Sequence, residues 1–315
     1  MPDKISRRTA LKWVAVGAVA STVPGIGVRT AKAVTENGPG RNSADRWSLT
    51  HDRVWLGGEF WANPMEDWRL VDGAAECQST GGNRNIHSLT HQITNPAAGF
   101  AMSVNVGQVA SQGTDEGAGF RVGVRSEINE YRSNCFSGNG LNAGVVDGQL
   151  ILGSKSAWLA NGADMKDLEL RLSGMAAGDG IILTLEATSP QSGRSLGRVS
   201  VTVSSERVLG NVAVVSNYAA SGKKRPGART ANYGSRYRFS RWTLSGEAFT
   251  VSPARRFGPL LWSMYSLSDS RMADGFVLKL SALTGPMGPQ DSQQVEMHVQ
   301  RGGTWQSLGE AKLDP

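Results

Sequence analysis

Apolar residues in this chain recur at every second position, in short runs, and no segment holds helical spacing over a dozen positions. Phe120, Val122 and Val124 alternate with Arg121, Gly123 and Arg125, and Leu168, Leu170 and Leu172 alternate with Glu169 and Arg171. Ile181, Leu183 and Leu185 follow, then Val199, Val201 and Val203, then Val212 and Val214. Successive side chains of a strand point to opposite faces, so this period predicts antiparallel strands with one apolar and one polar face. Between the runs stand Gly81-Gly82-Asn83, Gly138-Asn139-Gly140, Asp147-Gly148, Asp179-Gly180 and Ser192-Gly193, residues that reverse the chain at low steric cost. About a dozen short strands with such connections predict an all-β, antiparallel sandwich of the jelly-roll kind.

Arg53 to Trp68 is the densest aromatic stretch, with Trp55, Phe60, Trp61 and Trp68 in a chain that is 7% aromatic. Rings so clustered either fill the space between two sheets or form a platform for a flat ligand. Core packing is the preferred reading, because a sandwich needs large residues between its sheets.

The formal charge of +6 suggests a polyanion partner only until it is located. Residues 1–33 carry +5 of it, which leaves +1 for the rest and no argument for nucleic acid. In that segment Arg7-Arg8 precedes a weakly apolar run from Trp13 to Val23, and Ala31-Lys32-Ala33 offers small residues for cleavage. The pattern resembles a twin-arginine signal peptide, which implies the twin-arginine translocase as a transient partner and a periplasmic or extracellular destination. The apolar run is shorter than the ~20 residues a membrane-spanning helix needs, so no stable span is expected. In an exported protein Cys77 and Cys135 could form one disulfide or remain two buried thiols, and sequence does not choose.

Residues 34–45, rich in Gly, Asn and Ser, read as a flexible linker, 46–247 as the sandwich and 248–258 as a second linker. A closing strand is expected over 236–245, preceded by a basic surface loop from Ser221 to Arg229. Beyond residue 258, runs at 260–267, 276–283, 293–300 and 305–312 predict a small β domain over 259–315. It has fewer than the roughly seven strands of a complete sandwich, so it either docks its strands elsewhere or was cut before its partner strands.

Three segments carry a family resemblance: Trp55-Leu56-Gly57-Gly58-Glu59-Phe60-Trp61-Ala62-Asn63-Pro64, Gly82-Asn83-Arg84-Asn85-Ile86-His87, and Ala118-Gly119-Phe120-Arg121-Val122-Gly123. Together with Arg256-Phe257-Gly258-Pro259-Leu260-Leu261-Trp262, they resemble the front part of exported PhoD-like alkaline phosphatases. The resemblance implies a concanavalin- or laminin-G-like sandwich, then a partial Ig-like domain, both accessory to a phosphatase domain. That catalytic domain would lie after Pro315, and no residue here takes the place of its metal ligands. On this reading the chain is a non-catalytic accessory region, a piece of the full enzyme.

No other motif outweighs that reading. His87 and His91 would lie about 13 Å apart along a strand, too far for one metal ion. Asp115, Glu116 and Asp147 could offer oxygens to a structural calcium, although no calcium-loop pattern accompanies them. Glu59 and Asp67 could pass for a glycosidase carboxylate pair, but turn or cap roles are preferred. Gly153-Ser154-Lys155-Ser156 lacks the glycine spacing of a phosphate loop. No cofactor is expected within the chain. The alternative to the accessory role is a stand-alone carbohydrate- or surface-polymer-binding module, with Trp61, Tyr131 and Trp158 stacking on sugar rings and Asn134 donating hydrogen bonds.

Overall fold

In the computed structural model the alternating runs are strands; the described residues are 28–29, 47–112, 117–218, 234–269 and 276–313. The leader residues Arg7, Arg8, Ala31 and Ala33, the basic loop over 221–229, and Asp115 and Glu116 lie outside them.

Residues 39–256 form one compact unit, a sandwich of two antiparallel sheets. The first sheet has seven strands in the spatial order β13 (Ser195–Ser204), β12 (Gly180–Thr188), β11 (Leu168–Ala177), β6 (Phe100–Gln112), β15 (Gly234–Ser245), β4 (Ala74–Cys77) and β3 (Trp68–Val71). The second runs β10 (Lys155–Trp158), β9 (Gln149–Leu152), β8 (Leu141–Val146), β7 (Ala118–Val124), β14 (Gly210–Ser216) and β5 (Arg84–Ile93). The outer edge of β5 is shared by β2 (Phe60–Asn63) and β16 (Phe249–Val251).

Leu168, Leu170, Leu172, Ile181, Leu183 and Leu185 from one sheet meet Phe120, Val122, Val212, Val214, Leu150 and Leu152 from the other in one buried cluster. Most of the aromatic stretch joins this core. Trp68 packs on Phe239 with ring centroids 6.0 Å apart, and Phe60 sits 4.9 Å from Trp47 and 5.8 Å from Trp242. Trp61 is the exception. Register places it on the opposite face of β2, pointing away from the core cluster that takes its neighbour Ala62.

One expectation is corrected here and one open choice is resolved. The stretch 248–258 is not a linker throughout, because Phe249–Val251 pairs with β5 and the 3-10 turn Pro253–Arg255 follows inside the same unit. Cys77 and Cys135 do not form a disulfide; both are free and buried. The Ser216 hydroxyl lies beside Cys77, while the Cys135 thiol lies 3.6 Å from Asn211 Nδ2. Asn211 and Ser216 are five positions apart on β14, roughly 16 Å at 3.3 Å per residue, beyond the Cα separation any disulfide spans. Burial raises the Cys77 thiol and pushes Cys135 up to about 12. Native protein is therefore expected to react with a thiol reagent only as fast as it unfolds, and reductant is expected to leave the thermal midpoint unchanged. A midpoint lowered by reductant would sink the two-thiol assignment.

From residue 257 a second unit begins. It holds an antiparallel hairpin of β17 (Leu260–Asp269) and β18 (Phe276–Thr284), and another of β19 (Gln294–Arg301) and β20 (Thr304–Lys312). A two-residue strand, β1 (Val28–Arg29), pairs with β19 and falls within the span expected as leader. Leu261, Trp262, Met264, Tyr265, Leu278, Leu280 and Leu283 of the first hairpin are all exposed. Among the described residues, two separate small sheets stand where the sequence suggested an Ig-like domain.

Candidate functional site

Alternation predicted that Arg121 faces solvent, yet it is only 4% exposed. The outward face of the second sheet is covered over β14 and β5. The chain leaves β7, runs through residues 125–140 and returns as β8, and this excursion carries one helical turn, α1 (Tyr131–Asn134), which packs on β14 and β5. Because the next strand begins only after that detour, a face patterned as polar becomes a second, polar interior.

Local chemistry explains why the excursion folds this way. Glu130 caps α1, its Oε2 accepting from Arg132 N at 3.0 Å and Ser133 N at 3.2 Å, which satisfies two of the otherwise unpaired amides of the turn. Asn134 is fully buried, and its Oδ1 accepts from Ser126 N at 2.8 Å and Ser126 Oγ at 3.0 Å. Asn134 Nδ2 donates to Asn211 Oδ1 at 3.2 Å, and Asn211 Nδ2 donates to the Tyr131 carbonyl at 2.8 Å. Gln92 Nε2 donates to the same Asn211 Oδ1 at 2.7 Å, and Arg255 Nη1 donates to Gln92 Oε1 at 2.5 Å. A continuous chain of amides therefore ties α1 to β14, β5 and the Pro253–Arg255 turn.

The four residues expected to meet a ligand separate accordingly. Asn134 is a positioning residue, since its amide is committed to the protein. The Tyr131 ring carries the Arg255 guanidinium 4.8 Å from its centroid and that of Arg132 at 5.3 Å, within cation–π range, so it is a seat for cations. Trp61 is half-buried, donates from Nε1 to Asn63 Oδ1 at 3.0 Å, and meets Phe136 edge-to-face with centroids 5.6 Å apart. Phe136, directly after Cys135, is 68% exposed and was not singled out in the sequence. Asn63 fixes the pair, donating from Nδ2 to the Cys135 carbonyl and to Asn85 Oδ1. Trp158 is 72% exposed but lies on β10, the opposite edge strand, six strand spacings or roughly 29 Å from β2. It belongs to no shared site with Trp61.

Successive register partners define what lies beneath the excursion. Trp61, His87, Ala213, Arg121 and Asn142 form one row across β2, β5, β14, β7 and β8. Arg121 Nε donates to Asn142 Oδ1 at 2.8 Å, and its Nη1 donates to Asn83 Oδ1. His87 is 1% exposed, and neither ring nitrogen has a hydrogen-bond partner. Burial, reinforced by the Arg121 charge, lowers its pKa to about 3, so the imidazole is neutral. In the next row Gly119 and Gly144 make room for Tyr218: a Cβ on Gly144 would stand 2.3 Å from the Tyr218 hydroxyl, which donates to the Phe120 carbonyl at 3.1 Å.

The remaining sequence candidates have structural partners. Glu59 pairs with Arg256 at 2.5 Å and Asp67 with Arg84, so the supposed carboxylate pair is two separate ion pairs. His91 Nδ1 lies 2.9 Å from Thr90 Oγ1, and its ring packs on Phe249. Asp147 is the first residue of the two-residue turn between β8 and β9, and no group of three or more acidic, His or Cys side chains converges among the described residues. Nor is any helix among them long and apolar enough to cross a membrane.

No known family profile matches the chain, and no curated protein sequence does. Solved structures do resemble it at low identity. The Lotus tetragonolobus seed lectin shares 12% identity at a TM-score of 0.39, over 64% of this chain and 98% of its own. Lectin I-B4 from Griffonia simplicifolia, in its metal-free form, shares 11% at 0.42, over 63% and 100%. The VIP36 exoplasmic/lumenal domain, in a Ca2+/mannose-bound form, shares 10% at 0.36, over 59% and 81%. The phosphatase origin and the Ig-like reading find no support among these comparisons.

Proposed function

We propose that this chain is an exported glycan-binding module, whose ligand stacks on the Phe136 and Trp61 rings at the β2 edge of the second sheet. The observation that carries this reading is the meeting of those two rings. They come from separate elements, are held by Asn63 and the amide chain behind α1, and leave Phe136 mostly open to solvent. An apolar ring exposed on a fixed support costs little entropy when a sugar face covers it. Export rests on the twin-arginine pattern at Arg7-Arg8. The accessory role in a phosphatase rests on the sequence resemblance alone.

Retardation of the purified protein in gels containing soluble polysaccharides tests the reading. Phe136→Ala and Trp61→Ala are each expected to weaken binding about tenfold or more, as central aromatic contacts do, with circular dichroism unchanged. Trp158→Ala is expected to bind like wild type. Loss of binding in Trp158→Ala with retention in the other two would overturn the assignment.

A further inference from the structure

The Arg121 guanidinium is nearly buried, yet among the described residues no carboxylate pairs with it: its partners are the neutral side-chain oxygens of Asn142 and Asn83. Three half-buried arginines of the same unit each have an acid. Arg84 has Asp67, Arg236 has Glu76 and Arg256 has Glu59. Removing a cation from water without a counterion is costly, and His87, itself without a hydrogen-bond partner, lies across the single small residue Ala213. Burial depresses the arginine pKa accordingly. Both capping amides, Asn83 and Asn142, are only half-buried, so the guanidinium lies one layer beneath the surface, and a ligand would have to displace one of these amides to meet it.

We propose that Arg121 is the anchor for a carboxylate on the ligand, so that the module takes a uronate-bearing polysaccharide. This inference rests on the proposed glycan-binding function. Arginine's planar fork matches a carboxylate in a two-point contact. Trp61 stands in the same row, three strand spacings or about 14 Å from Arg121, so one extended glycan can reach both the rings and the cation.

The test uses the full chain and four probes: polygalacturonate, a neutral galactan, dextran sulfate and free galacturonate. Wild type is expected to prefer polygalacturonate over galactan by about tenfold or more, the usual worth of a charged hydrogen-bonded contact, and over dextran sulfate as well. Arg121→Gln is expected to lose that preference while keeping galactan binding. Since Arg121→Gln removes a buried anchor and could destabilise the fold, Asn83→Asp is the second variant. Asn83 already has φ 59, which Asp tolerates, and the substitution installs a carboxylate at Nη1. It is expected to lose the uronate preference with a thermal midpoint at or above that of wild type. Equal binding of polygalacturonate by wild type and both variants overturns the inference, as does a preference for dextran sulfate. Wild type that binds galactan and polygalacturonate equally removes the anion site and leaves the proposed function standing. Binding of free galacturonate that Asn83→Asp abolishes, with no polymer bound, removes the proposed function and leaves the anion site. Failure to bind any of the four overturns both.

Discussion

Acidification from pH 6.5 to pH 5 is expected to cost the sandwich about 1 to 2 kcal/mol of stability through His87 alone, the slope approaching about 1.36 kcal/mol per pH unit as the unfolded imidazole becomes fully protonated. Burial lowers the imidazole pKa from the ordinary 6.5 to about 3 in the folded chain. The sign follows from proton uptake. Above pH 6.5 neither folded nor unfolded chain carries the proton, and the full stability is present. Between 6.5 and about 3 the unfolded chain binds a proton that the folded chain refuses, so stability falls as pH falls. His91, also lowered by burial, adds a contribution of the same sign. Urea denaturation of wild type and His87→Gln at several pH values between 7 and 5 measures it. The variant, whose amide does not titrate, is expected to keep only the residual slope from the other groups. Identical slopes for the two proteins would show that His87 is not held neutral beneath the excursion.

Trp68→Ala is expected to destabilise the sandwich by about 3 to 5 kcal/mol, the range for deleting a large aromatic from a packed core. Trp68 is 1% exposed, and it is backed by Phe239 from the neighbouring sheet position. Its removal leaves a hole beside Phe239 among buried residues, and the cost rises with the volume that the walls cannot fill. Trp61→Ala, seven residues away, is expected to cost far less, because that ring lies outside the core and is only half-buried. Thermal or urea unfolding of the two variants separates them. Equal losses would mean that Trp61 is a core residue and would weaken the glycan-stacking site with it.

The contrast between Trp61 and Trp68 shows where sequence was sufficient. Strands such as 120–124, 168–172 and 181–185 were legible because the alternation of Leu, Ile and Val with polar residues is a local property, and burial of one face depends on little else. Within the aromatic stretch the same parity argument could not be applied, since Trp55, Phe60, Trp61 and Trp68 occupy both parities and sit on different elements. Glu59 and Asp67 looked paired by proximity in sequence, and their arginine partners come from positions as distant as Arg256.

By itself, then, the sequence determined an all-β sandwich, its strands and most of its turns, because these follow from period-two burial and from residues that tolerate tight reversals. Only the tertiary structure decided the site. Phe136 packs on Trp61 from 75 positions away, and Arg121 lies in one row with His87 and Trp61 through Ala213, which is 92 positions from Arg121 and 126 from His87. Arg121 read as solvent-facing because nothing in β7 records that Asn83, from the turn before β5, and Asn142 on β8 close over its guanidinium. Burial of that second face is a product of long-range packing, and no local pattern encodes it.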